Sequence, residues 1–324
     1  MTTLEEIQHA IAPELRQLNE RISQSLSSGN ILMNQVVDNY LLTKGKQIRP
    51  ILVILTARLF GEMNPGVISA AAAVEMLHNA SLIHDDVVDD SKLRRGEPTV
   101  NSVWDNHIAV LVGDFFVSTA LQEAISTGDI RIISSLSRLG RLLALGEIDQ
   151  IYTARYHKLD EKAYFEIIGR KTASLFISCI EMGAYAVDVD DDRLERMRRF
   201  AELLGLCFQI KDDIFDYYED KAVGKPTGND LREGKITLPL LHVLLQTDLP
   251  DHDAMLELSR KEQLSASEID ILIDYAKKHG GIDYAYQVMA DLRRQGAEIL
   301  AGFPETEIAG TFLSIFDYII TRRH

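Results

Sequence analysis

The chain has 324 residues, of which 46% are hydrophobic, so it can bury a large core without disulfide bonds or structural metal ions. Aspartate and glutamate number 49 against 34 lysines and arginines, a net charge of −15 at pH 7. This surplus repels the phosphate backbone of a nucleic acid, and we expect no nucleic acid partner. The two cysteines, Cys179 and Cys207, lack the spacing of a zinc or redox motif, which suits a reducing compartment.

The N-terminal segment predicts an amphipathic helix and not a signal peptide. Thr3 and Glu6 fit a capping box. Apolar residues recur at three- and four-residue steps, namely Leu4, Ile7, Ile11, Leu15, Leu18 and Ile22. Farther along, the apolar run 50–57 is much shorter than the roughly 20 residues that a membrane span requires. We therefore predict a cytoplasmic protein with no transmembrane segment.

Helical periodicity dominates the rest of the chain, and good helix formers fill segments such as 65–90, 193–216 and 269–301. Short polar breaks separate such segments, near residues 27–30, 61–65, 94–98, 188–192, 250–253 and 280–281. No series of alternating strands and no linker composition interrupts the pattern. The prediction is an all-α fold, a single domain over residues 1–324 built as a bundle of antiparallel helices.

One connection differs from the others, because residues 220–235 combine glycines and a proline with lysines. The residues concerned are Gly224, Pro226, Gly228 and Gly234, with Lys221, Lys225 and Lys235. This composition favours a mobile cationic lid, although an ordinary solvated loop has the same composition.

The first aspartate cluster is the segment Asp85-Asp86-Val87-Val88-Asp89, which follows a strongly helical apolar stretch. Positions i and i+4 lie on one helical face about 5 to 6 Å apart at Cβ, so Asp85 and Asp89 point into the same space and repel each other. A helix that accepts this repulsion at the end of an apolar segment suggests bound cations. Ligation by oxygen alone favours Mg²⁺, completed by waters and substrate phosphates.

The second cluster, Asp212-Asp213-Ile214-Phe215-Asp216, repeats this spacing after another apolar helical stretch, 203–210. One such cluster is weak support for a metal site, because acidic runs are usually solvated helix faces. Two copies, each with aspartates where an apolar stripe should continue, favour a metal site over that alternative.

Basic residues lie near both clusters in the sequence. Arg94 and Arg95 follow the first cluster and Lys46 and Arg49 precede it, while Lys171 and the lid lysines flank the second. Arginine forks and lysine point charges are what a diphosphate requires. Two sets of carboxylates, Mg²⁺ and these cations together indicate a site for one or two diphosphate esters.

These residues resemble a known family, the trans-isoprenyl diphosphate synthases, also named polyprenyl synthetases. The resemblance spans nearly the whole chain and rests on five ordered motifs: Lys44-Gly45-Lys46-Gln47-Ile48-Arg49-Pro50; His78 through Asp89 to Leu93-Arg94-Arg95-Gly96; Gly113-Asp114; Lys171-Thr172; and Phe208-Gln209 through Asp216 to Gly224-Lys225-Pro226 and Gly234-Lys235. One departure is Lys44, where the family often has glycine, and it removes no ligand. The resemblance implies the isoprenoid synthase type of fold, with helices around a central cavity.

The resemblance also implies a role for each matching residue. The ligands of about three Mg²⁺ ions would come from Asp85, Asp86, Asp89, Asp212, Asp213 and Asp216. The allylic diphosphate would be gripped by Arg94, Lys171, Lys225 and Lys235. Isopentenyl diphosphate would be bound by Lys46, Arg49, His78 and Arg95. Thr172 and Gln209 would point the negative ends of their oxygen dipoles toward the carbocation.

The implied reaction needs no side-chain nucleophile. Metals and cations would stabilise the departing diphosphate and so permit ionisation of a geranyl or farnesyl type of primer to an allylic cation in a dry pocket. The double bond of isopentenyl diphosphate would attack that cation, and loss of a proton would give a longer allylic diphosphate. The resemblance further implies a homodimer, and a transient membrane contact would serve product release.

Small residues before the first cluster predict a long product of roughly seven to ten isoprene units, about C35 to C50, of the kind used for quinone side chains. An isoprene unit extends about 5 Å, so each added unit passes about one further helical turn. Ser81 and Ala80, four and five positions before Asp85, are small where short-chain family members often carry an aromatic block. Residues that could narrow or close the tunnel farther down are Met76, Leu77, Phe115 and Phe116.

Three alternatives remain open. The product could be shorter, of geranylgeranyl or farnesyl length. A terpene cyclase shares the first cluster, but its second metal motif usually mixes Asn or Asp with Ser, Thr and Glu, whereas the second cluster here is all aspartate. A non-catalytic partner subunit would tolerate loss of a metal motif, and both motifs are intact.

Three basic residues near the motifs are interpreted as structural or solvated. We take His84, beside the first cluster, as a structural helix residue. The C-terminal Arg322 and Arg323 are expected to form a solvated tail and not to close over the site.

Overall fold

The computed structural model describes residues 3–42, 45–94, 96–218, 227–303 and 307–322. Most of these residues are helical, which confirms the all-α prediction. The strands found in these segments are β1 (Leu93–Arg94) and β2 (Glu97–Pro98), which pair antiparallel. Gly96 between them has φ +82°, a left-handed conformation that glycine adopts at no steric cost.

Helices follow one another along the described chain. In order they are α1 (Leu4–Ala10), α2 (Ala12–Leu26), α3 (Ile31–Leu42), α4 (Ile48–Phe60), α5 (Pro65–Val88), α6 (Val100–Val103), α7 (Asn106–Ser126), α8 (Ile130–Arg155), α9 (Glu161–Ile168), α10 (Ser174–Tyr185), α11 (Asp191–Phe215), α12 (Asn229–Arg232), α13 (Leu238–Leu244), α14 (His252–Ser259), α15 (Ala266–Lys278), α16 (Gly281–Leu300) and α17 (Glu307–Thr321). A π turn covers Gly169–Ala173 between α9 and α10. Five of the six predicted polar breaks lie at helix ends, which agrees with the periodicity analysis. The sixth, 94–98, contains residues of β1 and β2 between α5 and α6.

The backbone forms two compact units. The first unit comprises Met1–Arg141, Leu175–Ala201 and Phe303–Ser314. The second unit comprises Leu142–Ser174, Glu202–Gly302 and Ile315–His324. The division falls inside four helices, α8, α10, α11 and α17.

The predicted N-terminal helix is divided in two. Thr3 and Glu6 form the predicted capping box at the start of α1. The helix then ends at Ala10, and Ile11 separates it from α2. Pro13 is the reason, because its ring lacks an N–H and would clash with a carbonyl one turn earlier in a continuous helix. In the first turn of a new helix, where Pro13 lies, the missing N–H costs nothing.

Helix α5 is the core helix of the first unit and carries the first aspartate cluster. The Asn64 side chain caps it by accepting a hydrogen bond from the Val67 backbone N–H at 3.3 Å, and Pro65 fits its first turn. Residues 70–73 are all alanine and fully buried, as expected for a helix that is apolar on every side. Burial becomes incomplete near Asp85, where the acidic segment begins.

Two helices, α5 and α7, are long and apolar enough to cross a membrane by length and composition. In α5, 78% of the apolar stretch is buried inside the protein, as in a core helix. In α7 the buried share is 44%, because one side of the helix is exposed. The exposed apolar residues of α7 are Val110, Leu111, Val117, Leu121 and Ile125.

The second unit has its own apolar core, built by α13, α15 and α16. Leu240, Val243 and Leu272 are fully or almost fully buried in it. Residues 227–235, the described part of the predicted lid, include α12, whose Leu231 is buried in the same core. Residues 220–226 of the predicted lid lie outside the described residues.

Candidate active site

The first aspartate cluster lies at the C-terminal end of α5. Asp85 is half-buried and Asp89, the C-cap residue, is exposed, so both carboxylates are accessible. Asp86 is buried, with 4% of its surface exposed. Successive helical residues are about 100° apart around the axis, so the middle carboxylate turns into the protein while the i, i+4 pair faces outward.

Arg94 of β1 pairs with the buried Asp86 carboxylate. Arg94 Nε donates to Asp86 Oδ1 at 2.9 Å and to Oδ2 at 3.1 Å, and Nη2 lies 2.7 Å from Oδ1. Burial raises the pKa of Asp86, and the Arg94 hydrogen bonds oppose that rise. Arg94 also borders a groove of about 520 Å³ together with Tyr40 and Trp104. The cation predicted to grip a diphosphate therefore also orients the first cluster.

His84 precedes this cluster and contacts α7. Its Nε2 lies 3.2 Å from the Val110 carbonyl oxygen and 3.5 Å from Asp114 Oδ1. A Cβ atom at Gly113 would lie 2.2 Å from the same Nε2, so glycine allows this close approach of α7. These contacts agree with the interpretation of His84 as a structural residue. They also show that the Gly113-Asp114 motif packs α7 against His84.

The cations predicted to bind isopentenyl diphosphate flank a strained turn before α4. Lys46 is exposed, and the Arg49 guanidinium is half-buried, 5.6 Å from the centre of the Phe176 ring. Gln47 between them has φ +53°, a left-handed conformation that costs a non-glycine residue about 1 kcal/mol or more. Gln47 Nε2 donates to Asn19 Oδ1 at 3.0 Å, a contact that helps to hold the turn.

The remaining predicted ligand of isopentenyl diphosphate that the structure describes is His78, which is buried on α5. It lies about 20° from Asp85 around the helix axis, on the face of the accessible carboxylates. Arg95 and Lys44 lie outside the described residues.

The second aspartate cluster lies at the end of α11, in the second unit, and repeats this division. Asp212 and Asp216 are half-buried, whereas 4% of Asp213 is exposed. Tyr164 Oη donates to Asp213 Oδ2 at 2.5 Å, and Gln209 Nε2 donates to Oδ1 at 2.8 Å. Burial raises the pKa of Asp213 to about 7, and the two donors oppose the rise.

Gln209 connects Asp213 to Thr172. Thr172 Oγ1 donates to Gln209 Oε1 at 2.6 Å, which completes a chain of four side chains that starts at Tyr164. Sequence reasoning identified three of the four and missed Tyr164. A tyrosine in the apolar helix α9 has the pattern of a core aromatic residue, and only its contact with Asp213 distinguishes it.

Lys171 and Thr172 lie on the π turn. Its i→i+5 hydrogen bonds widen the helix locally, and such turns occur frequently at functional sites. Lys171 Nζ donates to Gln150 Oε1 at 2.8 Å and forms an ion pair with Glu147. A Cβ atom at Gly146 would lie 2.9 Å from the Lys171 backbone nitrogen, so glycine allows α8 to approach the turn.

Asp216 caps the short helix α12. Its Oδ1 and Oδ2 accept hydrogen bonds from the backbone N–H groups of Asn229 and Asp230, each at 3.0 Å. This contact anchors the end of the predicted lid that the structure describes. Lys235, one predicted ligand of the allylic diphosphate, borders a cavity of about 70 Å³. Lys225, the other lid lysine, lies outside the described residues.

The prediction of a solvated C-terminal tail is wrong for Arg322, whose side chain is 8% exposed. Its Nη2 donates to Asp212 Oδ1 at 2.6 Å and to the Phe208 carbonyl at 3.2 Å. Its guanidinium also lies 4.1 Å from the centre of the Phe208 ring. A carboxylate and an aromatic face distant in sequence hold this arginine, so the C-terminal sequence alone could not indicate them. Arg323 lies outside the described residues.

The residues predicted to control product length differ in exposure. Those fully buried are Ala80 and Met76, and those with some accessible surface are Leu77 and Ser81. Around the helix axis, Ser81 lies about 40° from Asp85 and Ala80 about 140°. Of the two small residues, Ser81 therefore shares the face of the accessible carboxylates.

The donor set at the clusters fits a hard divalent cation. Among the described residues, no three histidine, cysteine or carboxylate side chains gather closely enough to hold a metal ion by themselves. Asp85 and Asp89 offer two accessible carboxylates in the first unit, and Asp212 offers one in the second. Mg²⁺ is commonly held by one or two carboxylates, waters and substrate phosphates, and these residues fit that pattern.

Comparison with known proteins gives consistent results along the whole chain. Residues 30–276 match the family model described as polyprenyl synthetase. The octaprenyl diphosphate synthase of Haemophilus influenzae is 30% identical over 325 residues, which cover 100% of this chain and 98% of that protein.

Two crystal structures have a closely similar fold. The Caulobacter crescentus polyprenyl synthase complexed with calcium and isoprenyl diphosphate gives a TM-score of 0.92 at 31% identity, over 100% of this chain and 99% of that one. The Bacteroides thetaiotaomicron geranylgeranyl pyrophosphate synthase gives a TM-score of 0.85 at 36% identity, over 98% of each chain. With a family model and a relative matched over nearly its full length, the chain belongs to the polyprenyl synthetase family.

Proposed function

We propose that this chain is a polyprenyl diphosphate synthase, a prenyltransferase that condenses isopentenyl diphosphate with allylic diphosphates to form a trans-polyprenyl diphosphate. One observation carries the proposal. At the end of an apolar helical stretch in each unit, one aspartate is buried and hydrogen-bonded, while Asp85 and Asp89 in the first cluster and Asp212 in the second remain accessible. Membership of the polyprenyl synthetase family supports the same conclusion.

The accessible carboxylates would hold Mg²⁺, about three ions in all, which when bound neutralises the charge that develops on a departing diphosphate. Asp85 and Asp89 form the pair in the first unit, and Asp212 is the accessible carboxylate of the second. A Caulobacter crescentus relative whose structure contains calcium and isoprenyl diphosphate supports a divalent cation here. The ligand roles of Asp213 and Asp216 remain predictions, because both side chains make internal hydrogen bonds.

The cations of this chain would bind and orient the two diphosphates. Arg94, Lys171, Lys225 and Lys235 would grip the allylic diphosphate, and Lys46, Arg49, His78 and Arg95 would bind isopentenyl diphosphate. Lys171 is held by Glu147 and Gln150, so a diphosphate would compete with these partners for its ammonium group. The carbon–oxygen bond of the allylic ester then breaks with its electron pair on oxygen. The double bond of isopentenyl diphosphate forms the new carbon–carbon bond and a proton leaves, which restores an allylic diphosphate.

The direct test is incubation of the purified chain with radiolabelled isopentenyl diphosphate, a farnesyl or geranyl diphosphate primer and Mg²⁺. We expect butanol-extractable polyprenyl products that disappear when EDTA replaces Mg²⁺. A cyclic hydrocarbon formed without isopentenyl diphosphate would support the terpene cyclase alternative instead. Absence of product unless a second protein is added would support a partner subunit.

We propose a long product, of about seven to ten isoprene units. The octaprenyl diphosphate synthase relative supports this length, while the geranylgeranyl pyrophosphate synthase relative keeps a shorter product as the second candidate. Ser81 favours the longer product, because this small side chain lies one turn before Asp85 on the accessible face of α5.

A pair of substitutions tests this assignment. In Ser81→Phe the ring would project beside the growing chain and stop it after about two additions to the primer. In Ala80→Phe the ring points about 140° away from Asp85, so we expect weaker shortening. Chromatography of the dephosphorylated products measures both effects. A wild-type product of four units or fewer would contradict the long-chain proposal.

We propose that the active form is a homodimer in which α7 packs against α7 of a second copy. The residues Val110, Val117, Leu121 and Ile125 are exposed and recur at steps of seven and four. They form a narrow apolar stripe about 80° wide along the helix, the pattern of a seam between two helices. An apolar stripe of this kind on an otherwise acidic protein favours a second copy as its partner.

Static light scattering after size exclusion tests the dimer. We expect about twice the mass of one chain for the wild type and a single-chain mass for Leu121→Glu, because a buried unpaired carboxylate opposes association. Ile271→Glu is the matched control, since Ile271 is also exposed but lies on α15 outside the stripe. A monomeric wild type at micromolar concentration would contradict the proposal.

The remaining predictions concern organisation and location. We propose a single catalytic domain over residues 1–324, supported by relatives that this chain matches over nearly their whole length. A cytoplasmic location is supported by two free, buried cysteines. A transient membrane contact for product release remains a prediction.

A further inference from the structure

Tyr164 has no role in the motifs, yet it begins the hydrogen-bond chain that ends at Thr172. We propose that Tyr164 is a positioning residue that acts through Asp213 and Gln209 to fix which atoms Thr172 presents to the substrate. The inference rests on the proposed function, because it concerns the allylic cation of a polyprenyl diphosphate synthase.

Both carboxylate oxygens of Asp213 accept hydrogen bonds from neutral side chains. Tyr164 Oη donates to Oδ2 at 2.5 Å, and the Gln209 amide nitrogen donates to Oδ1 at 2.8 Å. The Gln209 amide oxygen then faces the opposite way, toward Thr172.

In this orientation the Thr172 hydroxyl proton is used in the hydrogen bond to Gln209. Gln209 Oε1 can only accept, so Thr172 Oγ1 must donate to it, at 2.6 Å. The hydroxyl then has only oxygen lone pairs to present in other directions. A lone pair stabilises a developing positive charge on carbon, whereas a hydroxyl hydrogen would destabilise it.

Tyr164 fixes the other end of the chain. Its ring is buried on α9 and its hydroxyl holds one oxygen of a carboxylate that is itself buried. Without this donor, Asp213 can rotate about its side-chain torsion and the Gln209 amide loses its fixed direction. The Thr172 hydroxyl would then point sometimes a lone pair and sometimes its hydrogen toward the substrate. The residues predicted to bind the two diphosphates would be unchanged.

The test compares two tyrosine-to-phenylalanine variants in the elongation assay. For Tyr164→Phe we expect kcat to fall about tenfold, while KM for each diphosphate changes less than about twofold. Tyr275→Phe is the matched control, because the Tyr275 hydroxyl is buried in the same unit with no hydrogen-bond partner among the described residues. Its kcat should equal that of the wild type. A purely structural role for Tyr164 would lower the melting temperature and leave kcat of the folded enzyme unchanged.

A double-mutant cycle tests the route through Thr172. If Tyr164 acts through Thr172, the variant Tyr164→Phe with Thr172→Val should be no slower than Thr172→Val alone. If the double variant instead shows the product of the two single-variant decreases in kcat, the proposed route through Thr172 is wrong.

Asp213→Asn serves as a second variant if Tyr164→Phe fails to fold. Asparagine has the same size but offers a single acceptor oxygen. Tyr164 and Gln209 can still contact its amide but can no longer both donate to it, so kcat should fall about tenfold. The Mg²⁺ concentration for half-maximal rate should stay unchanged, and a large increase would assign Asp213 to the metal and overturn the inference. A wild type that elongates no primer would refute the proposed function. Unchanged kcat in a folded Tyr164→Phe or Asp213→Asn would refute only the role of Tyr164.

Discussion

The two aspartate clusters have the same spacing but hold their buried carboxylates by different means. Asp86 pairs with a cation, since Arg94 donates to both of its oxygens. Among the described residues, the donors that Asp213 receives are neutral, namely Tyr164 and Gln209. Burial of a carboxylate is costly unless a charge or several hydrogen bonds compensate it. The two clusters therefore share a sequence motif, but a charged group holds the buried aspartate in the first and neutral groups hold it in the second.

The accessible carboxylates also differ between the clusters. Asp85 and Asp89 share one face of α5, whereas in the second cluster Arg322 pairs with Asp212 and Asp216 caps α12. In the second cluster, the Arg322 guanidinium thus already pairs with Asp212, a residue that is predicted to bind a metal ion. A cation that binds Asp212 Oδ1 would compete with this arginine.

The sharpest test of the comparison removes one accessible carboxylate from each cluster. Asp85→Ala and Asp212→Ala should each lower kcat by about a thousandfold, roughly 4 kcal/mol, because the proposed reaction needs the metal ions that each cluster would hold. Asp90→Ala is the control, since Asp90 is exposed and pairs only with Lys92 among the contacts described. Steady-state kinetics with circular dichroism separates catalysis from folding. A large loss in only one variant would show that a single cluster suffices.

The buried carboxylates should differ in their effect on stability. Asp86→Asn removes the carboxylate that is hydrogen-bonded to the partly buried Arg94, and we expect the free energy of unfolding to fall by about 2 kcal/mol. Asp213→Asn can keep contacts with its neutral neighbours, and the loss should stay below about 1 kcal/mol. Urea denaturation measures both values. Equal losses would mean that the charge of Arg94 has no special importance for the first cluster.

Close helix approach should also have a different effect on stability near each cluster. In Gly146→Ala the new Cβ presses on the Lys171 backbone nitrogen of the π turn, at a cost of about 1 to 3 kcal/mol. In Gly113→Ala it meets the His84 ring, which can rotate away, so we expect less than about 1 kcal/mol.

Gly140→Ala provides the control for these two variants. It lies on α8 like Gly146, but a Cβ there would meet nothing within 4 Å. Alanine is the better helix former, so this variant should be neutral or stabilised by up to about 1 kcal/mol. Thermal denaturation ranks the three proteins. A Gly113→Ala loss larger than that of Gly146→Ala would reverse the expected order.

The smallest expected effect concerns the internal cation of the second cluster. Arg322→Ala removes the competitor at Asp212 and should lower the Mg²⁺ concentration for half-maximal rate about two- to fivefold, because such ion pairs are worth about 0.5 to 1 kcal/mol. Arg294→Ala is the control, since that exposed arginine pairs only with Asp291 and Glu298 among the contacts described. An unchanged or higher Mg²⁺ concentration for half-maximal rate would contradict competition between Arg322 and Mg²⁺ for Asp212.

Local chemistry in the sequence was sufficient for the fold class, the main helix ends and the residues of both clusters. The capping box at Thr3, the periodicity around Asp85 and the repeated spacing at Asp212 are all set by neighbours within a few residues, which is why they can be read from the chain. The break before Pro13 could also have been predicted, because proline excludes a continuous helix by its own geometry.

Tertiary structure decided which member of each cluster is buried and what holds it. Tyr164 contacts Asp213 across 49 positions, and Arg322 contacts Asp212 across 110. Such pairs leave no local pattern, because hydrogen bonds and ion pairs depend on distances that only the folded chain creates. The residues predicted to bind cations and diphosphates were therefore visible in the sequence, whereas the partners that orient them were not.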